Sequence, residues 1–172
     1  MKFTLGLEFP NLPYFVDGDF KMTESMAIHS YIADKWKPEL LGKDAQHRGH
    51  ISMLSNKCIE FKMAVTMPCY VSGDVVEITA ACQKHLPALL DYMGTNAYLT
   101  GNQPSYVDFY FYEAIQFPIH ISNGALLTEF PQLAKFNDSM KALLGQAYCD
   151  SCLDKDLPFN NKVAKLNGEM AL

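Results

Sequence analysis

Residue types able to do chemistry fall at a few places in this 172-residue chain. Cys149 and Cys152 are separated by two residues, the spacing of thiol redox pairs and of half of many zinc sites. His47 and His50 lie one helical turn apart on a common face. Neither pair has the company its chemistry needs. No second Cys pair or strand–helix–strand pattern attends the first, and no partner is defined by spacing for the second. The plain expectations are the end of a helical region, a solvated first helical turn, and no metal. Thr23-Glu24-Ser25 is different, because hydroxyls and an acid stand directly before a helical period. Such a group caps any helix, and at a helix N-terminus it is also suited to holding a charged ligand. Tyr70 supplies a phenol just after Pro68-Cys69.

The elements that must position these groups are legible from pattern. Leu12-Pro13-Tyr14-Phe15-Val16 and Phe20-Lys21-Met22 flank Asp17-Gly18-Asp19, which predicts two antiparallel strands joined at a Gly of positive φ. Ile28, Tyr31, Ile32 and Lys35 then fall at helical spacing before Pro38. From Asp44 onward the texture is helical. Ile51, Leu54, Cys58, Phe61 and Val65 make one buried stripe that Pro68 should end or kink. A second helix is expected over 75–93, with Thr79, Cys82, Leu86, Leu89, Leu90 and Met93 buried, a bend at Pro87 and Gly94 at its end.

Ser105 and Asp108 form a reciprocal capping pair that opens a third helix. Its run from Phe109 to Ile115 is apolar nearly all round, as expected of the central post of a bundle; lining a substrate pocket is the less direct reading of Phe109 to Tyr112. Leu133, Phe136, Met140, Leu143 and Leu144 mark a helix after Pro131, closed by Gly145, and 157–172 should wrap the surface. The whole is an α+β chain: a small α/β piece over 1–38, a Pro- and Gly-bracketed linker, and an all-helical piece over 44–172.

Composition narrows the function classes. A net charge of −5 without a Lys/Arg cluster opposes a nucleic-acid partner. No apolar run approaches the ~18 residues of a membrane span, and no basic-then-apolar leader follows Met1. Five scattered cysteines suit free thiols in a reducing compartment, so the expected address is the cytoplasm.

Leu7-Glu8-Phe9-Pro10-Asn11-Leu12-Pro13-Tyr14, Asp17-Gly18, Glu24-Ser25-Met26-Ala27-Ile28, Ser30-Tyr31-Ile32-Ala33, Pro68-Cys69-Tyr70 and Ser105-Tyr106-Val107-Asp108-Phe109 occur here in the order seen in glutathione transferases. The chain resembles that family along essentially its whole length, and the mu class most closely. The resemblance implies a remnant of a thioredoxin-like domain, a β-hairpin plus helix, followed by the family's all-α domain. It implies a cis bond before Pro13, with Asn11 and Leu12 bordering the peptide. It also implies Ser25 at the γ-glutamyl carboxylate, Glu24 facing the γ-glutamyl ammonium, Lys2 at the glycine carboxylate, and Glu60 reaching across a dimer. Glutathione is thus the implied substrate or residual ligand. Tyr70 aligns with a residue that assists some electrophilic substrates.

Departures from the pattern shape the functional expectation. The mu class usually has Gln where Glu24 stands. The match starts in what would be the loop before the family's third strand. On that reading the strand bearing the catalytic Tyr, and a Trp that contacts glutathione, are not in this sequence. The expectation is therefore a transferase-like protein without normal activity, serving as a structural subunit whose hairpin, Leu12 to Met22, is covered by a protein partner or larger assembly. The alternative is an active transferase with an incomplete N-terminus. Phe9 keeps the aromatic that inserts into a neighbouring subunit, while Ser30 and Asp34 replace arginines near that contact. A homodimer is thereby allowed rather than required.

Overall fold

The computed structural model describes residues 2–152 and 158–168, with every side chain among them except those of Lys2 and Cys152. A short 3₁₀ turn, Lys2–Thr4, precedes the antiparallel pair β1 (Tyr14–Asp17) and β2 (Phe20–Thr23). Asp17 opposes Phe20, so Gly18 and Asp19 form a two-residue turn, and Gly18 takes φ 60° as the sequence predicts. An isolated pair of this kind is marginal in water. Here it is pinned to helix α1 (Ser25–Trp36). The Tyr31 hydroxyl donates to Asp17 Oδ2 at 2.7 Å, and the Lys35 ammonium pairs with the same oxygen. Phe20 stacks on Tyr31 at 4.9 Å and Phe15 packs at 5.9 Å. The Lys35 ammonium beside Asp17 holds its carboxyl below the usual range, as does the Tyr31 hydroxyl.

After α1 the chain turns through Pro38–Leu41 to Gly42, whose φ is 97°. At that positive φ any residue with a Cβ is strained, and a Cβ would also stand 2.9 Å from Ile51 Cδ1, so the turn favours glycine. Helix α2 (Ala45–Val71) opens with Asp44 Oδ1 accepting the His47 N–H at 2.8 Å. Its five expected core residues, Ile51, Leu54, Cys58, Phe61 and Val65, are all buried. Pro68 stands inside α2, three residues before its end, and its carbonyl accepts from Ser72 and Gly73.

Helix α3 spans Val75–Met93 as predicted, with Gly94 after it. One core assignment is corrected. Thr79 is exposed and its hydroxyl donates to the Val75 carbonyl, while Ile78 is buried in its place. Stepping back by four from Cys82 reaches Ile78, so the apolar row continues straight along the helix.

Helix α4 (Tyr106–Ile121) is the central post: α1, α2, α3, α5 (Ala125–Glu129) and α6 (Pro131–Leu144) all pack on it. Phe111 sits between Phe61 (5.8 Å) and Phe136 (5.1 Å) in a core with no exposed ring among the three. In α6, Leu133, Phe136 and Met140 are buried, but Leu143, in the last turn, is exposed. Helices α5 and α7 (Gln146–Cys152) are too short for their periods to have been read from sequence. The predicted surface wrap is seen over 158–168. There the Lys165 and Leu166 N–H groups donate to the Cys69 carbonyl near the end of α2; 157 and 169–172 lie outside the described residues.

The start of α4 depends on one buried carboxylate. Asp108 is 0% exposed; its Oδ2 accepts from the Ser105 N–H (2.7 Å) and Ser105 hydroxyl (2.8 Å), and its Oδ1 accepts from Leu99 N–H (2.8 Å). Burial pushes its pKa up, while these donors oppose the rise. Replacing Asp108 with Ala strands three buried donors at once. Asp108→Ala should therefore cost about 3 kcal/mol or more, measured as a shift of the urea midpoint at unchanged slope.

The α1–α4 junction holds a half-buried histidine. His29 stands edge-on to Tyr110 at 6.0 Å, Lys62 lies over the same ring at 4.9 Å, and Lys62 pairs with Glu113. Burial and then the Lys62 charge push the His29 pKa down, with Glu113 opposing. A histidine whose pKa is lower in the folded chain is protonated more readily when unfolded. Its contribution to stability is therefore complete above the ordinary histidine pKa of about 6.5 and falls as pH drops through that value. The stability lost between about pH 7.5 and pH 5.5 should be smaller in His29→Gln than in wild type, as read by denaturant titration at both pH values.

Candidate functional site

The residues singled out near the N-terminus converge where the loop 11–13 meets the start of α1. The Leu12–Pro13 bond is cis, and Asn11, Leu12 and Pro13 are all exposed. Asn11 Nδ2 reaches Glu24 Oε1 at 3.5 Å, so two groups thirteen residues apart face one another. Glu24 precedes α1 with φ 72° and ψ 110°, a backbone conformation that non-glycine residues rarely adopt.

The expected hydroxyl cap is not formed. Glu24 occupies the cap position, Ser25 is already the first helical residue, Thr23 belongs to β2, and no side chain caps α1. The first-turn N–H groups of α1 thus remain available beside a half-buried Ser25 hydroxyl and an exposed Glu24 carboxylate. An uncapped helix start, a hydroxyl, an acid and an open stretch of backbone make a donor-and-acceptor set for a small peptide with charged ends.

The other candidates are distributed more widely. Lys2 is in the first 3₁₀ turn, but its side chain lies outside the described residues. Phe9 is 73% exposed. Glu60 is exposed on α2, where it pairs with Lys57 at 2.9 Å and not with the Asn11–Glu24 group. Tyr70 is half-buried against the core, and its hydroxyl accepts from the Asn161 N–H at 3.4 Å. The strap 158–168 therefore engages the Tyr70 oxygen as an acceptor and leaves its O–H to donate elsewhere.

The cysteines do not gather. Cys149 is buried, with Sγ 3.9 Å from the Tyr112 hydroxyl, and the side chain of Cys152 lies outside the described residues. Burial pushes the Cys82 thiol up to about 12 and raises Cys58 and Cys69, which keeps all three protonated and unreactive. Among the described residues no group of three His, Cys, Asp or Glu could hold a metal ion, and no helix is long and apolar enough to cross a membrane.

Two concavities lie elsewhere. A cleft of about 590 Å³ opens between the start of α2, the end of α3 and the loop 99–103. A smaller one of about 240 Å³ lies among α3, α4 and α5, and neither is lined by Asn11, Leu12, Pro13, Glu24 or Ser25. Sequence reasoning named His47 and His50 in the larger cleft but missed Tyr92 and Thr100. Their types signal nothing until the loop after α3 folds back beside α2.

Comparison with known proteins gives a consistent result. Residues 2–34 match the family described as glutathione S-transferase, N-terminal domain, and residues 61–143 match glutathione S-transferase, C-terminal domain. A class-mu 26 kDa glutathione S-transferase of Schistosoma mansoni is 38% identical over 146 residues, covering 83% of this chain. The chain spans 65% of that relative's length, just under two thirds. Isozyme 51 of the class-mu enzyme of Fasciola hepatica is 34% identical over 172 residues, covering 97% of this chain and 77% of the relative. Among solved structures, the glutathione S-transferase Blo t 8 superposes with a TM-score of 0.78 at 25% identity, covering 98% of this chain and 80% of that one. The hairpin and α1 accordingly correspond to part of the thioredoxin-like half of that fold, and the helical body to its all-α half. With both halves matched and a relative at this identity along nearly its whole length, this chain belongs to the glutathione S-transferase family, with class-mu proteins among its relatives.

Proposed function

We propose that the described chain is a glutathione-binding subunit of the transferase family that recognises the peptide but does not itself supply the group that activates its sulfur. The observation that carries the reading is the uncapped start of α1, set beside Glu24 and the exposed backbone of the cis-Pro loop. Ser25 and the free N–H groups suit the γ-glutamyl carboxylate, Glu24 suits its ammonium, and the backbone of Leu12 suits the cysteinyl unit. Lys2 and Glu60 complete the set at the glycine carboxylate and across a homodimer in which Phe9 is the inserted aromatic.

Conjugation requires glutathione thiolate, which is a minor species near neutral pH unless a donor stabilises the developing charge. The Tyr31 O–H is donated to Asp17, and Tyr70, whose oxygen accepts from the Asn161 N–H, lies in the last turn of α2 under the strap 158–168. Neither hydroxyl is hydrogen-bonded to the 11–13 loop. An interaction role follows from the surface. Phe20 (47%), Ile32 (37%) and Trp36 (51%) expose apolar surface on the hairpin and α1, of the kind that a protein partner covers. The absence of a membrane-spanning helix among the described residues is consistent with a cytoplasmic setting.

The second reading is a conjugating transferase whose sulfur donor comes from outside the described residues. It is favoured by the names of the relatives, which are glutathione S-transferases. The two separate in one experiment on protein of this length: retention on immobilised glutathione, together with conjugation of an aryl halide. Retention with turnover at least about 10³-fold below ordinary family members is expected, and turnover comparable to theirs would sink the first reading. Ser25→Ala should weaken glutathione binding about tenfold, the ~1.4 kcal/mol of one charge-assisted hydrogen bond, measured by calorimetric titration.

A further inference from the structure

Helix α1 and the hairpin have a thin seat on the rest of the molecule. Of the twelve residues of α1 only Ile28 and Ala33 are buried, β1 buries none, and β2 buries Thr23 alone. Helix α4, by contrast, buries eight of its sixteen. Segments with few buried side chains open locally at a lower cost than global unfolding. The Tyr31 and Lys35 contacts to Asp17 join β1 to α1 and not to the helical body, so the hairpin travels with the helix.

His29 stands in that seat. Its ring is edge-on to Tyr110 of α4, and Lys62 of α2 lies over the same ring. The charges acting on it are those of Lys62 and Glu113, which pair with one another. They do not cancel at His29, because the Lys62 side chain is 32% exposed and that of Glu113 65%, so water screens the carboxylate more than the ammonium. Tyr110 stays neutral, its hydroxyl pushed up to about 12, chiefly by burial. Around the rest of α1, Lys35 pairs with Asp17 and Lys37 with Glu39. An imidazole takes up a proton below about pH 6.5, and in this junction it becomes a second cation beside Lys62.

We propose that β1, β2 and α1 open from the helical body as one unit, and that protonation of His29 in mild acid favours the opening. The closed seat holds the neutral ring against Tyr110. Opening releases the imidazolium to water and away from Lys62, so the open form binds the proton more readily and gains population as pH falls. Glu24, Ser25 and the cis-Pro loop adjoin this unit, and the glutathione site opens with it. That last consequence alone rests on the glutathione reading.

The test is hydrogen exchange of the full chain at pH 7.5 and 5.5 without glutathione, each rate scaled by its intrinsic value at that pH. At both pH values α1 and the hairpin should be protected at least about tenfold less than α4. Between them, the protection of α1 should fall about threefold or more on acidification. His29→Gln should flatten that fall, and Lys62→Gln, which removes the repelling cation, should shrink it; slow exchange in α4 shows that each variant is folded. Protection of α1 equal to that of α4, no fall in α1 between the two pH values, or a fall that either variant keeps in full would overturn the proposal.

Discussion

The carboxylate of Asp108 is the interaction on which most of this fold rests. It is fully buried, yet it satisfies the hydroxyl and N–H of Ser105 together with the N–H of Leu99, and so closes the loop after α3 onto the first turn of α4. Helix α4 can then be apolar nearly all round, because α1, α2, α3, α5 and α6 pack against it and its buried start is satisfied within the chain. A buried charge is costly on its own. Three converging donors make it tolerable, and they also make the geometry of the loop and helix inseparable.

That constraint reaches both the larger cleft and the seat of α1. The loop fixed by Leu99 carries Thr100, Gly101 and Gln103 to the start of α2, so the larger cleft exists only because α3, the loop and α4 are locked in register. On the other side, α4 offers Tyr110 and Glu113 to His29 and Lys62, and this contact seats α1 on the helical body. Helix α1 in turn anchors the hairpin through Tyr31 and Lys35 on Asp17. The Asn11–Glu24 pair is therefore placed by a chain of contacts that begins in the core, although both residues are exposed.

The two tyrosines of chemical interest illustrate how packing assigns roles. Tyr31 is consumed in holding the hairpin, and Tyr70 lies under the strap whose Lys165 and Leu166 close the end of α2. In both cases the hydroxyl meets a partner within the chain. A phenol engaged in this way contributes to stability first, and its availability for chemistry depends on what can displace that partner.

What the sequence determined by itself was periodic or reciprocal: the Asp-Gly turn, the stripe from Ile51 to Val65, the span of α3, and the Ser105–Asp108 pair. Each depends on spacing along one element, where 2.0- and 3.6-residue periods translate directly into burial. The order of its motifs likewise carried the family and the cis bond before Pro13. The tertiary structure decided the rest. It set Glu24 at positive φ and left α1 uncapped where a hydroxyl cap was expected, since the hairpin commits Thr23 to β2 before the helix begins. It exchanged Thr79 for Ile78 in the core and bared Leu143, because several rows fit the helical period and the neighbours that pack on each turn choose among them. It brought the start of α2 to the loop 99–103, a meeting of segments far apart in the chain that no local spacing encodes.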